Sequence, residues 1–249
     1  KHLGQHFLTD PAIAERIVRA MTPGGDRVVI EIGPGKGVLT QFLLQEKLRR
    51  FIPIEIDKES YDYLINEWPQ LKEEILLHDF LRIDVASMGE KQLQIIGNFP
   101  YNISSQIFFK ALENRSIVSE VVCMIQKEVA ERLVSPPGSK QYGILSVLLQ
   151  AFYDLEYLFT VKPGSFFPPP KVKSGVIKLT RNKTGQLDCD EKLFFQVVKT
   201  SFNQRRKTIR NSIKTILLNL HVESELLSKR PEQLSVTEFI ELTNLIDNK

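Results

Sequence analysis

Apolar positions along the first 160 or so residues fall into short unbroken runs separated by longer stretches with helical spacing. Arg27 to Ile32 (RVVIEI) is an apolar run that stops at Gly33. Gly37 to Gln45 reads as a helix, and Arg50 to Ile56 (RFIPIEI) as a second strand interrupted by Pro53. Asp57 to Trp68 has helical periodicity, with Asp57 placed to cap it. Glu74 to Leu77 leads into His78-Asp79, and Leu93 to Gly97 and Val121 to Ile125 are further strand candidates. Strands alternating with helices predict an α/β fold with a parallel, doubly wound sheet. The pattern changes near Lys162. Pro163 and Pro168 to Pro170 punctuate the chain, Gly175 to Thr180 reads as a strand, and from Asp190 onward only helices are predicted. The expected organisation is a sheet domain over 1–182 and a small all-helical domain over 183–249. No internal repeat is visible.

The 249 residues are 42% apolar and 25% charged, which excludes disordered, fibrous and disulfide-scaffold classes. Cys123 and Cys189 form no Cys-x-x-Cys pair, and the four histidines form no metal-ligand cluster. No apolar stretch is long enough to span a bilayer, and no signal-peptide core is present. These features predict a reduced, cytoplasmic, soluble protein with no membrane partner. The net charge of +3 is small, but it is unevenly placed. Residues 162–183 hold six bases and no acid, residues 199–214 hold another six and no acid, and residues 222–249 hold six acids against three bases. Lys199, Arg206, Arg210 and Lys214 would fall on one stripe if the segment were a single helix. Two acid-free basic stretches predict contacts to phosphate from Lys171, Lys199, Arg205, Arg206, Lys207, Arg210 and Lys214.

The turn Glu31-Ile-Gly-Pro-Gly-Lys-Gly37 follows a strand and opens a helix. Its spacing fits neither a dinucleotide loop, whose third glycine would fall at Val38, nor a P-loop, which needs Ser or Thr after Lys36. Gly-x-Gly-x-Gly with an acid before it resembles motif I of the class I S-adenosylmethionine-dependent methyltransferases. Glu55 lies about 20 residues beyond the glycines, where an acid accepts from ribose hydroxyls. Asp79, after the next strand, is placed to accept from an adenine amino group. Asn98-Phe-Pro-Tyr101 then follows the fourth strand. An adenine amino nitrogen is a poor nucleophile because its lone pair is delocalised into the ring. Acceptors on its N–H groups help localise that pair, and the Asn98 oxygen with the carbonyl of Phe99 or Pro100 supplies them. Pro100 stiffens the turn and Tyr101 offers a stacking surface. No metal is required.

This quartet resembles the Asn-(Leu/Ile)-Pro-Tyr motif of RNA adenine N6-methyltransferases. Lys1 to Leu8 resembles a Gly-Gln-Asn-Phe-Leu segment, Phe166 to Val172 a Phe-x-Pro-x-Pro-Lys-Val motif, and Phe202 to Ser212 an Arg-Arg-Lys-Thr-Leu-Arg-Asn signature. All of these belong to the small-subunit (16S) ribosomal RNA adenine N6,N6-dimethyltransferases, and the chain is identified as a member of that family. The resemblance implies a Rossmann-like class I methyltransferase domain with a helical RNA-binding domain. It implies cofactor contacts at Gln5, His6, Leu8, Gly33, Gly35, Glu55, Asp79 and Asn98, with His6 standing where Asn is commoner. It implies catalytic roles for Asn98, Pro100, Tyr101 and Phe166, the last two clamping a flipped base. Gly164, Ser165 and three prolines around Phe166 argue against a core position for it. The implied substrate is an assembling 30S subunit, and the enzyme is expected to act as a monomer. A large-subunit (23S) methyltransferase of the macrolide-resistance type and a non-catalytic RNA-binding assembly factor share the architecture and stand as alternatives.

Overall fold

A computed structural model describes residues 6–218 and 220–247. Gln5, expected near the cofactor, lies outside the described residues. In chain order the elements are β1 (Phe7–Leu8), α1 (Pro11–Arg19), β2 (Val28–Ile32), α2 (Thr40–Leu43), β3 (Arg50–Glu55), α3 (Lys58–Glu67), β4 (Leu76–Leu77), β5 (Leu93–Asn98) and α4 (Ser104–Glu113). There follow β6 (Val118–Gln126), α5 (Lys127–Val134), α6 (Ile144–Gln150), β7 (Tyr153–Val161), β8 (Phe166–Phe167), β9 (Ser174–Arg181), α7 (Glu191–Asn203), α8 (Ile209–Ser212) and α9 (Val236–Asp247).

Seven strands form one sheet in the order β4-β3-β2-β5-β6-β9-β7. From β4 to β6 neighbouring strands run parallel, and β9 runs antiparallel to β6. Every residue of β2 is buried, as expected of a central parallel strand covered on both faces. The chain leaves β2 toward β3 and β4, then returns to β5 on the other side of β2. That reversal opens a crevice at the carboxyl ends of β2 and β5, the place where open α/β sheets bind ligands. Local signals fix the flanking helices. Asp10 accepts from the amides of Ala12 and Ile13 ahead of Pro11, and Asp57 accepts from Ser60 N–H at 2.9 Å. A separate two-stranded ribbon pairs β1 with β8, Phe7 opposite Phe167 and Leu8 opposite Phe166.

The chain divides into two compact units, Lys1–Ala130 with Glu156–Arg181, and Glu131–Leu155 with Asn182–Lys249. The second unit thus takes in residues 131–155, which the sequence reading placed in the sheet domain. Aromatic packing explains the difference: Tyr142 meets Phe202 edge-on at 6.2 Å, and Phe202 lies 6.0 Å from Phe239 on α9. Among the described residues, no helix is long and apolar enough to cross a membrane.

Candidate active site

The glycine turn leaves the end of β2 with Gly33 at φ 65° and Gly35 at φ 57°, conformations that side chains disfavour. A Cβ on Gly33 would meet nothing within 4 Å, so its backbone faces open space. A Cβ on Gly35 would lie 2.8 Å from the ring of Phe7, which covers that part of the turn. Beside the turn is a cleft whose lining includes His6, Gly33, Gly35, Asn98, Pro100 and Tyr101. An adjoining recess is lined in part by Leu8, Glu31, Gly33, Lys36 and Asn98. The fold therefore brings together seven of the expected site residues: His6, Leu8, Gly33, Gly35, Asn98, Pro100 and Tyr101.

Tyr101 is fixed by a 2.8 Å hydrogen bond between its hydroxyl and Ser174. Burial holds its phenol above the ordinary range against the opposing effect of that bond, so it stays neutral. Asn98 donates from Nδ2 to the His6 carbonyl at 2.9 Å. Pro100 accepts from Ile103 N–H at 3.1 Å, closing the turn.

Three expected residues are not among those that line the cleft. Glu55 is fully buried; Oε2 accepts from Gly35 N–H at 3.0 Å, and Oε1 from Ile56 and Asp57 N–H, both at 2.8 Å. Here it braces the glycine turn, directly behind Gly35, which lines the cleft. Burial raises its pKa despite those three donors. Asp79 caps the following turn, accepting from Leu81 N–H at 2.9 Å, and lies outside the lining of the cleft. Phe166 is only 4% exposed and belongs to the apolar cluster that holds Leu8, Val161 and Val176. The expectation of a cleft-facing stacking ring there is corrected. In the β1–β8 ribbon alternate side chains face opposite ways, which sends Phe166 inward and leaves Phe167 73% exposed.

The basic stripe is also corrected. Residues 199–214 do not form one helix. α7 ends at Asn203, Gln204 leaves helical geometry, and Ile209 N–H bonds to the Lys229 carbonyl as α8 begins. The chain thus turns at Arg205, Arg206 and Lys207. Arg205 donates to the Ser139 carbonyl at 3.2 Å and lies 3.8 Å from Glu232, a structural role. Lys199, Arg206, Lys207, Arg210 and Lys214 are exposed in the second unit, and Lys171 in the first. Of the other bases near β9, Lys178 pairs with buried Glu120 at 3.0 Å, and Arg181 donates to the Arg115 and Ser116 carbonyls.

Two residues carry no role in the sequence analysis, Phe7 and Ser174, and Glu31 enters it only as the acid before the glycines. Phe7 lines both the cleft and the recess, and Ser174 anchors Tyr101. Glu31 is 1% exposed and bonds Thr40 Oγ1 at 2.7 Å. Burial, followed by the lowering effect of Thr40 and the raising effect of the Glu55 charge, lifts its pKa to about 8. An acid inside the apolar run VVIEI is the signal for Thr40 Oγ1 as a partner, because a buried carboxyl needs a hydrogen-bond donor.

A sheet reversing at β2 and β5, a glycine turn opening on the crevice and an Asn-Phe-Pro-Tyr turn across from it define a class I S-adenosylmethionine-dependent methyltransferase. The residues fit that cofactor: Gly33 offers bare backbone, and Glu31 presents the recess with a buried acid that a cation would ionise. The profile of the family described as "Ribosomal RNA adenine dimethylase" matches residues 1–247, and the chain belongs to that family. It is 55% identical over 251 residues to the ribosomal RNA small subunit methyltransferase A of Cytophaga hutchinsonii, covering 100% of this chain and 97% of the relative. The solved dimethyladenosine transferase of Plasmodium falciparum is 25% identical with TM-score 0.82, covering 98% of each chain. The 23S rRNA methyltransferase ErmE shares the fold, with TM-score 0.70 at 23% identity over 96% of this chain and 99% of the other.

Proposed function

We propose that this enzyme transfers methyl groups to N6 of two adjacent adenines near the 3′ end of small-subunit (16S) ribosomal RNA, dimethylating each. Its substrate is the assembling 30S subunit, and it works in the cytoplasm as a monomer. The observation that carries the chemistry is the Asn98–Tyr101 turn lining the same cleft as Gly33.

When bound, S-adenosylmethionine supplies a methyl group already activated on a positive sulfonium. Gly33 and Leu8 would hold it at the crevice, and Glu31, ionised beside a cation, would offset its charge from the recess. Glu55 keeps the glycine turn in shape from behind, and its carboxylate would accept from the ribose hydroxyls. Asp79, with its side chain 29% exposed, is the acceptor for the cofactor's adenine. On the substrate side, Asn98 Oδ1 and the Phe99 carbonyl accept from the target amino group and hold its lone pair toward the methyl. The Pro100 carbonyl is already engaged by Ile103, which favours Phe99 for this task. Tyr101, locked on Ser174, is the surface on which the flipped base stacks, worth about 1–3 kcal/mol. Exposed Lys171, Lys199, Arg206, Lys207, Arg210 and Lys214 contact phosphates.

The test is labelled methyl transfer to small subunits isolated from cells lacking this modification, with both ribosomal RNAs mapped. Label confined to adjacent adenines near the small-subunit 3′ end supports the reading. Label in large-subunit RNA overturns it.

A further inference from the structure

The two ends of the Asn98 side-chain amide have opposite character: Oδ1 accepts, and Nδ2 donates. Only one end suits a target amino group, because a second donor facing an N–H leaves both unpaired. The structure fixes which end is which. Nδ2 donates to the main-chain carbonyl of His6 at 2.9 Å, so Oδ1 is the end left for the cleft that Asn98 lines. His6 is held in turn by its own ring. Its Nδ1 lies 2.8 Å from the Pro168 carbonyl, which can only accept, so Nδ1 carries the proton. The ring also rests against Tyr101, with centroids 5.8 Å apart and planes tilted by 35°. His6 thus joins the Asn98 turn to the proline-rich loop after β8.

We propose that His6 is a positioning residue for methyl transfer. Its carbonyl sets the orientation of the Asn98 amide, and its imidazole, anchored on Pro168, keeps that carbonyl in place. This rests on the reading of Asn98 as acceptor for the target amino group.

The two transfers feel this differently. In the first, the nitrogen lone pair forms the new N–CH₃ bond as the S–CH₃ bond breaks, one N–H proton leaves to solvent, and S-adenosylhomocysteine departs. Two N–H groups are present to meet two acceptors. At the start of the second transfer a single N–H remains. An amide free to turn then presents Nδ2 in place of Oδ1, and that N–H loses its acceptor at Asn98. Releasing the amide therefore slows the second methylation more than the first, and monomethyladenine accumulates.

The experiment compares His6→Ala, His6→Asn and Asn98→Ala with the wild type on unmethylated small subunits. The ratio of N6-methyl to N6,N6-dimethyladenosine is read by nucleoside mass spectrometry, together with kcat and KM. S-adenosylhomocysteine affinity and thermal stability are measured alongside. His6→Ala is expected to slow the second transfer about tenfold, with accumulation of the monomethyl product and little change in S-adenosylhomocysteine affinity or melting temperature. His6→Asn is expected to restore the dimethyl product, since its Nδ2 reaches the position of the lost Nδ1 donor. A wild-type product ratio in His6→Ala, a loss matched entirely by weaker S-adenosylhomocysteine binding, or failure of His6→Asn to rescue overturns the proposal. Asn98→Ala separates the two levels. If that variant is active, the reading of Asn98 itself falls. If it is inactive while His6→Ala behaves as wild type, only the role of His6 falls.

Discussion

Glu31 sits in the middle of the molecule's most buried strand, and its charge is governed by what enters the recess beside it. Its carboxyl titrates at about 8 in the folded chain against an ordinary 4.5. A raised acid pKa means that the folded state binds the proton more tightly, so this residue's contribution to stability is lost as pH rises from about 4.5 to about 8. Each unit of pH in that window is worth up to about 1.4 kcal/mol. Between pH 5.5 and pH 7.5 the loss amounts to roughly 2–3 kcal/mol. Glu31→Gln preserves the size of the group and the acceptor for Thr40 Oγ1, and removes the titration. The assay is urea unfolding of both proteins without cofactor across that range. The variant should gain roughly 2–3 kcal/mol relative to the wild type on going from pH 5.5 to pH 7.5. Stability curves that run parallel with pH would refute the claim that Glu31 is a protonated buried acid. Adding S-adenosylhomocysteine, whose ammonium supplies a cation, should then stabilise the wild type more than the variant at pH 7.5, with proton release that buffer-dependent calorimetry detects.

Phe166→Ala should destabilise the fold by about 3–5 kcal/mol in chemical denaturation, as expected of a core aromatic; an unchanged midpoint with a selective loss of methylation would restore it to the cleft. Gly97→Ala places a Cβ 2.6 Å from the Ile32 carbonyl and 3.0 Å from the Phe99 ring, forcing β2 and β5 apart behind the cleft. It should cost about 1–3 kcal/mol and reduce cofactor affinity, and a wild-type melting temperature would contradict the close packing. Arg206→Ala should weaken subunit binding and lower the salt-dependence slope by about 0.9, read by filter binding at several salt concentrations; an unchanged slope removes Arg206 from the RNA surface.

The central strands were legible because parallel strands buried on both faces must be nearly continuous in apolar residues, as Val28 to Ile32 and Leu93 to Gly97 are. Asp57 was legible as a cap because a short acid ahead of a helical run has one common use. The quartet from Asn98 to Tyr101 was legible as a turn after a strand because Asn and Pro favour turns, and the fold places Asn98, Pro100 and Tyr101 in the lining of one cleft. Phe166 was misread because a two-residue strand has no visible period, and its inward face is decided by pairing with Leu8 more than 150 residues away. The break after Asn203 was invisible because the apolar spacing of Phe202, Ile209 and Ile213 continues across it. What ends the helix there includes the bond from Ile209 to Lys229, a tertiary contact. Glu55 was placed correctly at a strand end, yet its carboxylate turns onto Gly35 N–H because the glycine turn brings that donor within 3.0 Å.

The role proposed for Asn98 is to activate the target amino group, beyond any contact it makes with the cofactor. Single-turnover methyl transfer by Asn98→Ala, run with calorimetry of S-adenosylhomocysteine binding on the same preparation, tests it directly. The account predicts transfer reduced by about a hundredfold or more, with nucleoside analysis showing almost no N6,N6-dimethyladenosine and with cofactor-product binding retained. Wild-type transfer in that variant, or a loss accompanied by an equal loss of binding, would contradict it.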